Sequence, residues 1–233
     1  ALFPKHFWVY GGGVNLDASL VADDGTVTNR RRQFGNMLLS KSPILSSRNH
    51  LLPKFGLVDQ LALQRSALEG VIKTELLGDI RVHSVHLGHA SALERRVQIG
   101  TLNRILRESP GQGGGVSGRQ AAKHWTADGP LIDMPRAAMF LGDFNLTPQD
   151  SEYELLAGPS DPKYGRIVRM DGLADVWTTC GNDENAGPTC GSENGPVRID
   201  YGFMTPDLAG QAKRMWVDTD AQGSDHQPIF IEF

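Results

Sequence analysis

Asp143 and Asn145 stand two apart in Gly142-Asp143-Phe144-Asn145, and residues at that spacing project from one face of an extended chain. A carboxylate beside a carboxamide can hold and orient one water molecule. The same four residues also compose a plain turn, since Gly, Asp and Asn are turn formers. Asp225-His226 follows Gly223-Ser224 as a second polar pair. Asp200 lies between Ile199 and Tyr201, where a carboxylate must reach solvent or find a partner, because unpaired burial is costly. His86 offers an imidazole, with His83 and His89 nearby; a lone histidine of this kind serves structure more often than chemistry. Carboxylates, an amide and imidazoles are the groups of acid–base catalysis and of hard-cation binding.

The elements that must position these groups are legible as hydrophobic patterns. The continuous apolar run 137–141 predicts a strand leading to Asp143. Apolar or β-branched residues at Ile80, Val82, Val85 and Leu87 predict a strand over 79–87 that delivers His86. Residues 197–203 alternate, with Val197, Ile199, Tyr201 and Phe203 on one face and Asp200 on the other. A terminal strand over 229–233 follows Asp225-His226, and 36–40 reads as a short buried strand ending before Pro43. Leu93, Val97, Leu102, Ile105 and Leu106 recur at helical spacing. Ser91 and Glu94 form a capping box at that helix's start, and Pro110-Gly111 is expected to stop it. Two segments read as loops: 10–32, with Gly11-Gly12-Gly13, and 109–135, with Gly113-Gly114-Gly115, the latter expected to be mobile. The sum is a mixed α/β domain.

The chain has 233 residues, which fits one large domain, and its 39% hydrophobic content supports a packed core. A net charge of −4 gives no global basic field to draw it onto nucleic acid, although an acidic protein can still carry a local basic groove. Cys180 and Cys190 flank a loop-like stretch that could be closed by a disulfide; two free thiols is the plainer reading. No apolar run approaches the roughly 20 residues that span a bilayer, and the N-terminus lacks signal-peptide regions. A soluble protein is expected, with the cytoplasm the favoured compartment. Oligomeric state is not encoded.

The order of the motifs narrows the chemistry. Val85-His86-Leu87, Gly142-Asp143-Phe144-Asn145, Arg198-Ile199-Asp200-Tyr201 and Ser224-Asp225-His226-Gln227-Pro228 follow one another along the chain. With Gly35-Asn36-Met37-Leu38-Leu39-Ser40 and Leu173-Ala174-Asp175-Val176-Trp177, this series resembles the endonuclease/exonuclease/phosphatase superfamily of deoxyribonuclease I-like phosphoesterases. The resemblance runs from about Phe34 to Phe233. It implies a four-layer α/β/β/α sandwich of two mixed sheets flanked by helices, with the site at one end of the sheets.

It also implies roles. His226, oriented by Asp200, would face the scissile phosphate, and His86 would contact a non-bridging oxygen. Asp143 and Asn145 would position and deprotonate the attacking water. Asp225, with a lesser claim for Asp143, would bind a divalent metal. Physical logic agrees: a phosphate ester is anionic and repels a nucleophile, so hydrolysis needs a cation, charge-neutralising donors and a base. Hard oxygen ligands select Mg²⁺, with Mn²⁺ a substitute. Asn36 and Arg32 are weaker candidates for substrate binding. Arg30-Arg31-Arg32 could grip phosphates or simply form a solvated loop.

The expected activity is hydrolysis of a phosphodiester, with nucleic acid among the candidate substrates. The alternatives are a phosphomonoesterase acting on an inositol-phosphate or lipid-type substrate, and a catalytically silent binding module of the same fold. Members of the superfamily begin with a strand carrying an Asn and then one ending in Gln-Glu, whose Glu is the main metal ligand. Neither motif is found before Phe34, so residues 1–233 read as a single but N-terminally incomplete domain of weakened metal affinity.

Overall fold

The computed structural model describes residues 2–114 and 132–233. In chain order the strands are β1 (Phe7–Asp17), β2 (Leu20–Val21), β3 (Val27–Thr28), β4 (Arg31–Ser40), β5 (Ile44–Leu51), β6 (Ser66–Thr74), β7 (Gly78–His86), β8 (Ala138–Asp143), β9 (Ser160–Asp161), β10 (Gly165–Arg166), β11 (Ala174–Asp175), β12 (Asp200–Met204), β13 (Arg214–Val217) and β14 (Ile229–Glu232). The long helix α1 (Ala92–Gln112) joins β7 towards β8. The central sheet has the order β11-β12-β8-β7-β6-β5. Its one parallel pair is β7–β8, the neighbours whose connection contains α1, as a parallel pair requires a long crossover.

Both faces of this sheet are covered, and both carry apolar residues. One face presents Ala67, Val85, Ala138, Phe140, Tyr201 and Phe203 to Ile99, Leu102, Ile105 and Leu106 of α1. The other presents Leu68, Ile72, Ile80, Val82, Met139 and Met204, packed with Leu38 of β4 and Met215 of β13. Two antiparallel ladders, β1–β4 and β13–β14, make up the layer on that second face. They approach closely because glycines lie beneath them: a side chain at Gly70 would meet Leu38, and one at Gly202 would meet Ile231. The mixed central sheet, with a helix on one face and strands on the other, agrees with the expected fold class. The second β layer differs in being two separate antiparallel ladders.

Three local expectations are corrected. Residues 10–32 are not a loop: β1 pairs with β4 over Phe7↔Ser40 to Asp17↔Arg31, and β2–β3 form a small hairpin at the tip. The Gly11-Gly12-Gly13 run serves close backbone approach inside a strand. A Cβ on Gly13 would lie 2.5 Å from the Gln64 carbonyl, and the register shifts between Gly12 and Val14.

Helix α1 passes through Pro110 to Gln112 instead of stopping. Proline cannot donate to the Leu106 carbonyl, but the buried Arg81 does so through Nη2 at 2.9 Å, and the Ser109 hydroxyl donates to Glu69 at 3.3 Å. The last turn is thus held from the sheet. The rest of the 109–135 segment falls largely on 115–131, outside the described residues.

At the other end of α1, Ser91 Oγ accepts from the Glu94 N–H at 3.2 Å, but the Glu94 carboxylate does not complete the box. It accepts from the Phe55 N–H at 3.1 Å and the Gln98 amide at 2.9 Å. Leu93 and Val97 are exposed, and the buried stripe runs instead through Gln98, Ile99, Leu102, Ile105 and Leu106.

Candidate active site

Strand register brings the expected residues into one row. In the parallel pair β7–β8, His86 is opposite Asp143; in the antiparallel pair β8–β12, Asp143 is opposite Asp200. Cross-strand partners project from the same face. His86, Asp143 and Asp200 therefore stand side by side at one end of the sheet, on the face that carries the two ladders.

Asp143 is fixed by the chain on either side of it. Gly142 has φ +137°, and a Cβ there would strike the Val85 carbonyl. Asn145 has φ +51°, the sole positive value at a non-glycine position among the described residues, a conformation asparagine tolerates better than most. Asp143 Oδ1 accepts the Asn145 backbone N–H at 2.8 Å. The Asn145 side-chain nitrogen donates to Leu87 O and to Asp143 Oδ2, both at 3.1 Å. Both amide hydrogens are thus spent on protein acceptors, and the Asn145 Oδ1 is the atom left to orient a water.

Burial pushes the Asp143 carboxyl up, but the neighbouring His86, the hydrogen bond from Asn145 and the charge of His226 outweigh it and hold the carboxyl below its usual range.

His226 is reached from a different direction. The turn carrying it is tied down by the Gln227 N–H donating to Thr189 O at 2.6 Å and by a bridge between Cys190 and His226. Thr189 in turn accepts the N–H groups of Ile199 and Asp200 through its hydroxyl, at 3.2 and 3.1 Å. The result places His226 Nδ1 2.8 Å from Asp200 Oδ2, which fixes Nδ1 as the donor and leaves Nε2 for other contacts. Burial pulls the His226 imidazole down, yet the Asp200 hydrogen bond and the charges of Asp200, Asp143 and Asp225 raise it overall. Burial raises the Asp200 carboxyl, and its hydrogen bonds and His226 only partly offset this. A cavity of about 390 Å³ lies alongside, lined by Gly142, Asp200, Ser224, His226 and Gln227 among others.

The remaining candidates sit differently. Asp225 is exposed at the rim, its Oδ1 accepting from the Ser224 hydroxyl at 3.2 Å. Arg32 is exposed on β4, two residues before Phe34. Asn36 is buried, and its amide donates to Ser66 O at 2.7 Å and Ser84 O at 2.8 Å, tying β4 to β6 and β7. Both cysteines are free thiols.

One site residue escaped the sequence reading. Arg65 donates from Nη1 to His86 Nε2 at 2.8 Å and from Nη2 to His89 Nδ1 at 3.1 Å, and its guanidinium lies 5.6 Å from the Phe34 ring. A single arginine ahead of an apolar strand carries no spacing signal; the one hint was its place immediately before the strand that pairs with the His86 strand.

Among the described residues no group of three or more His, Cys, Asp or Glu is set to hold a metal ion. The oxygens of Asp143, Asn145 and Asp225 are nonetheless hard donors of the kind Mg²⁺ takes. A Mg²⁺ site commonly uses one or two carboxylates and completes its shell with water and substrate phosphate. The donor chemistry fits the ion.

No curated protein is similar enough to match. Among solved structures, an endonuclease/exonuclease/phosphatase from Bacteroides vulgatus aligns with 98% of this chain and 76% of its own, at 17% identity and a TM-score of 0.58. A mannosyl-6-phosphatase from Bacteroides thetaiotaomicron aligns over 98% and 77%, at 18% identity and a TM-score of 0.56. A 3′ phosphatase from Neisseria, solved with a product DNA hairpin, aligns over 100% and 80%, at 18% identity and a TM-score of 0.55. These likenesses establish the fold. The family model described as "Endonuclease/Exonuclease/phosphatase family" matches residues 3–226, beginning well before Phe34. The chain belongs to the endonuclease/exonuclease/phosphatase family, whose members are hydrolytic phosphoesterases that generally use divalent metals.

Proposed function

We propose that this chain hydrolyses a phosphate ester by attack of a water molecule, with Mg²⁺ as the working metal. The observation that carries the reading is the row His86, Asp143, Asp200 on three adjacent strands, closed by His226 on Asp200 at 2.8 Å. Asn145 Oδ1 and Asp143 hold the water, and Asp143 receives its proton as the new P–O bond forms. His226, kept cationic more readily by its carboxylate neighbours, donates from Nε2 to the charge growing on the phosphoryl oxygens. The ester P–O bond breaks, and the departing alcohol takes its proton from solvent. Asp225 and Asp143 would hold a divalent ion, which would supply positive charge to the phosphoryl group when bound.

A phosphodiester substrate accords with the order of the sequence motifs. A phosphomonoester is the second reading, favoured by the cationic Arg65 beside His86. The test is a screen of metal-stripped protein resupplied with Mg²⁺ or Mn²⁺, using DNA, RNA, inositol phosphates, p-nitrophenyl phosphate and bis-p-nitrophenyl phosphate. Metal-dependent release that His226→Ala lowers by about 10²-fold or more, with folding intact, supports the reading. No metal-dependent release from any substrate would leave a binding module of the same fold.

A further inference from the structure

Arg65 is buried, at 6% exposure, yet no carboxylate pairs with it among the described residues. Its two partners are histidine ring nitrogens, His86 Nε2 and His89 Nδ1, and a guanidinium can only donate, so both nitrogens must accept and both rings be neutral there. Five N–H groups belong to an arginine, and two are used; the other three have no protein acceptor among the described residues. Asp143 and Glu94 act on the charge only from longer range, and burial draws its ionisation down. A buried cation without a close anion is an expensive arrangement unless something else completes it.

The surroundings say what that would be. The guanidinium is held against the Phe34 ring and His86, which lies beside Asp143 with Nε2 3.2 Å from Asp143 Oδ2. One ring nitrogen cannot both accept from Arg65 and donate to Asp143. The 2.8 Å contact with Arg65 is the shorter, so the lone pair of Nε2 is taken by the guanidinium and Asp143 lies beside it as an unbonded neighbour. Arg65 thus brings a fixed cation to the edge of the row that handles the phosphate.

We propose that Arg65, held by His86 and His89, is a substrate-binding residue that recognises the third non-bridging oxygen of a terminal phosphate. It would make the site selective for a phosphomonoester dianion over a phosphodiester monoanion. The proposal rests on the phosphate-ester reading above and names its substrate class. A diester has two non-bridging oxygens, for which the metal and His226 would provide, Asn145 having spent both amide hydrogens on Leu87 and Asp143. A monoester has a third and one more negative charge, and a planar guanidinium with unused N–H groups matches both.

The test compares wild type, Arg65→Met and Arg65→Lys in Mg²⁺. Turnover is measured on p-nitrophenyl phosphate and methyl p-nitrophenyl phosphate, which share a leaving group. Binding of inorganic phosphate and of dimethyl phosphate is measured by calorimetry, with no turnover needed. We expect Arg65→Met to lower the monoester-to-diester ratio of kcat/KM by about 10- to 100-fold. It should weaken inorganic phosphate by a similar factor and dimethyl phosphate by less than about threefold. Arg65→Lys keeps the charge without the fork and should fall between; it carries the test if the methionine variant does not fold. Equal losses for the two esters, an unchanged ratio, or wild type that does not bind inorganic phosphate would overturn the proposal. Absence of turnover on both esters with phosphate binding intact and lost in Arg65→Met would overturn the hydrolytic reading alone.

Discussion

Replacing Asp200 by asparagine removes the charge behind His226 while keeping shape, and the consequences can be worked out from the geometry. His226 Nδ1 and Asp200 Oδ2 are 2.8 Å apart, the distance of a charge-assisted hydrogen bond. Such bonds contribute about 1.5–3 kcal/mol, which corresponds to roughly 10- to 200-fold at about 1.4 kcal/mol per decade. If His226 acts mainly as the reaction's charge develops, the loss belongs in kcat and KM should change little. Folding should not suffer, because burial already raises the Asp200 carboxyl and a neutral amide relieves that cost. The His226 imidazole, raised overall by its neighbours, should titrate lower in the variant, so any pH limb that reports its protonated form should move to lower pH. The assay is steady-state turnover in Mg²⁺ across pH, beside circular dichroism and urea unfolding. An Asp200→Asn protein with kcat within about threefold of wild type and an unmoved pH profile would refute the pairing as a catalytic device.

Three further outcomes are expected. Chelation of divalent ions should abolish phosphate-ester hydrolysis and re-addition of Mg²⁺ restore it; turnover persisting in excess chelator would contradict the metal assignment. Gly142→Ala places a Cβ against the Val85 carbonyl at φ +137°, and should cost more than about 3 kcal/mol in urea unfolding or prevent folding. Glu69 is buried; although burial pushes its carboxyl up, hydrogen bonds with His50 and His83 and the charges of His83 and Arg48 hold it well below the ordinary value of 4.5. A depressed carboxylate contributes stability that is complete above that value and is lost as pH falls below it. Glu69→Gln should therefore destabilise by about 3 kcal/mol at pH 7 and flatten the loss of stability below pH about 4.5; a parallel pH curve would refute this.

How far the sequence discloses the site depends on the kind of signal each residue sends. Asp143 ends an apolar run and Asp200 stands on the polar phase of an alternating one, so periodicity alone located both on strands that turned out to be register partners. His226 and Asp225 were legible only through the order of motifs, since an Asp-His pair in a turn has no period. Arg65 was silent, because its meaning lies in a contact 21 residues away with His86. The glycines at 11–13 misled for a related reason. Glycine marks both loops and close approaches of two backbones, and the approach at Gly13 comes from Gln64, some fifty residues on. Pro110 misled because the acceptor it strands is satisfied by Arg81, from a strand before the helix. Local rules failed wherever a distant polar group supplied the missing bond.

The same logic explains why chain geometry around Asp143 is so constrained. Side chains alternate along a strand, so a slip of one residue between β8 and either neighbour would carry Asp143 to the helix-covered face, away from His86 and Asp200. Apolar patterning does not prevent this well here, because β8 is buried on both faces and Met139 and Phe140 are equally at home. What sets the phase is at the strand's end. Gly142 yields space to the Val85 carbonyl, Phe144 is driven into the core among Tyr201 and Phe203, and Asn145 in its left-handed conformation closes back on Asp143. Phe144 and Asn145 can take these places in one register only. The residues that orient the water are thus also those that fix the pairing of the strands carrying His86 and Asp200, and a substitution at Asn145 should disturb both together.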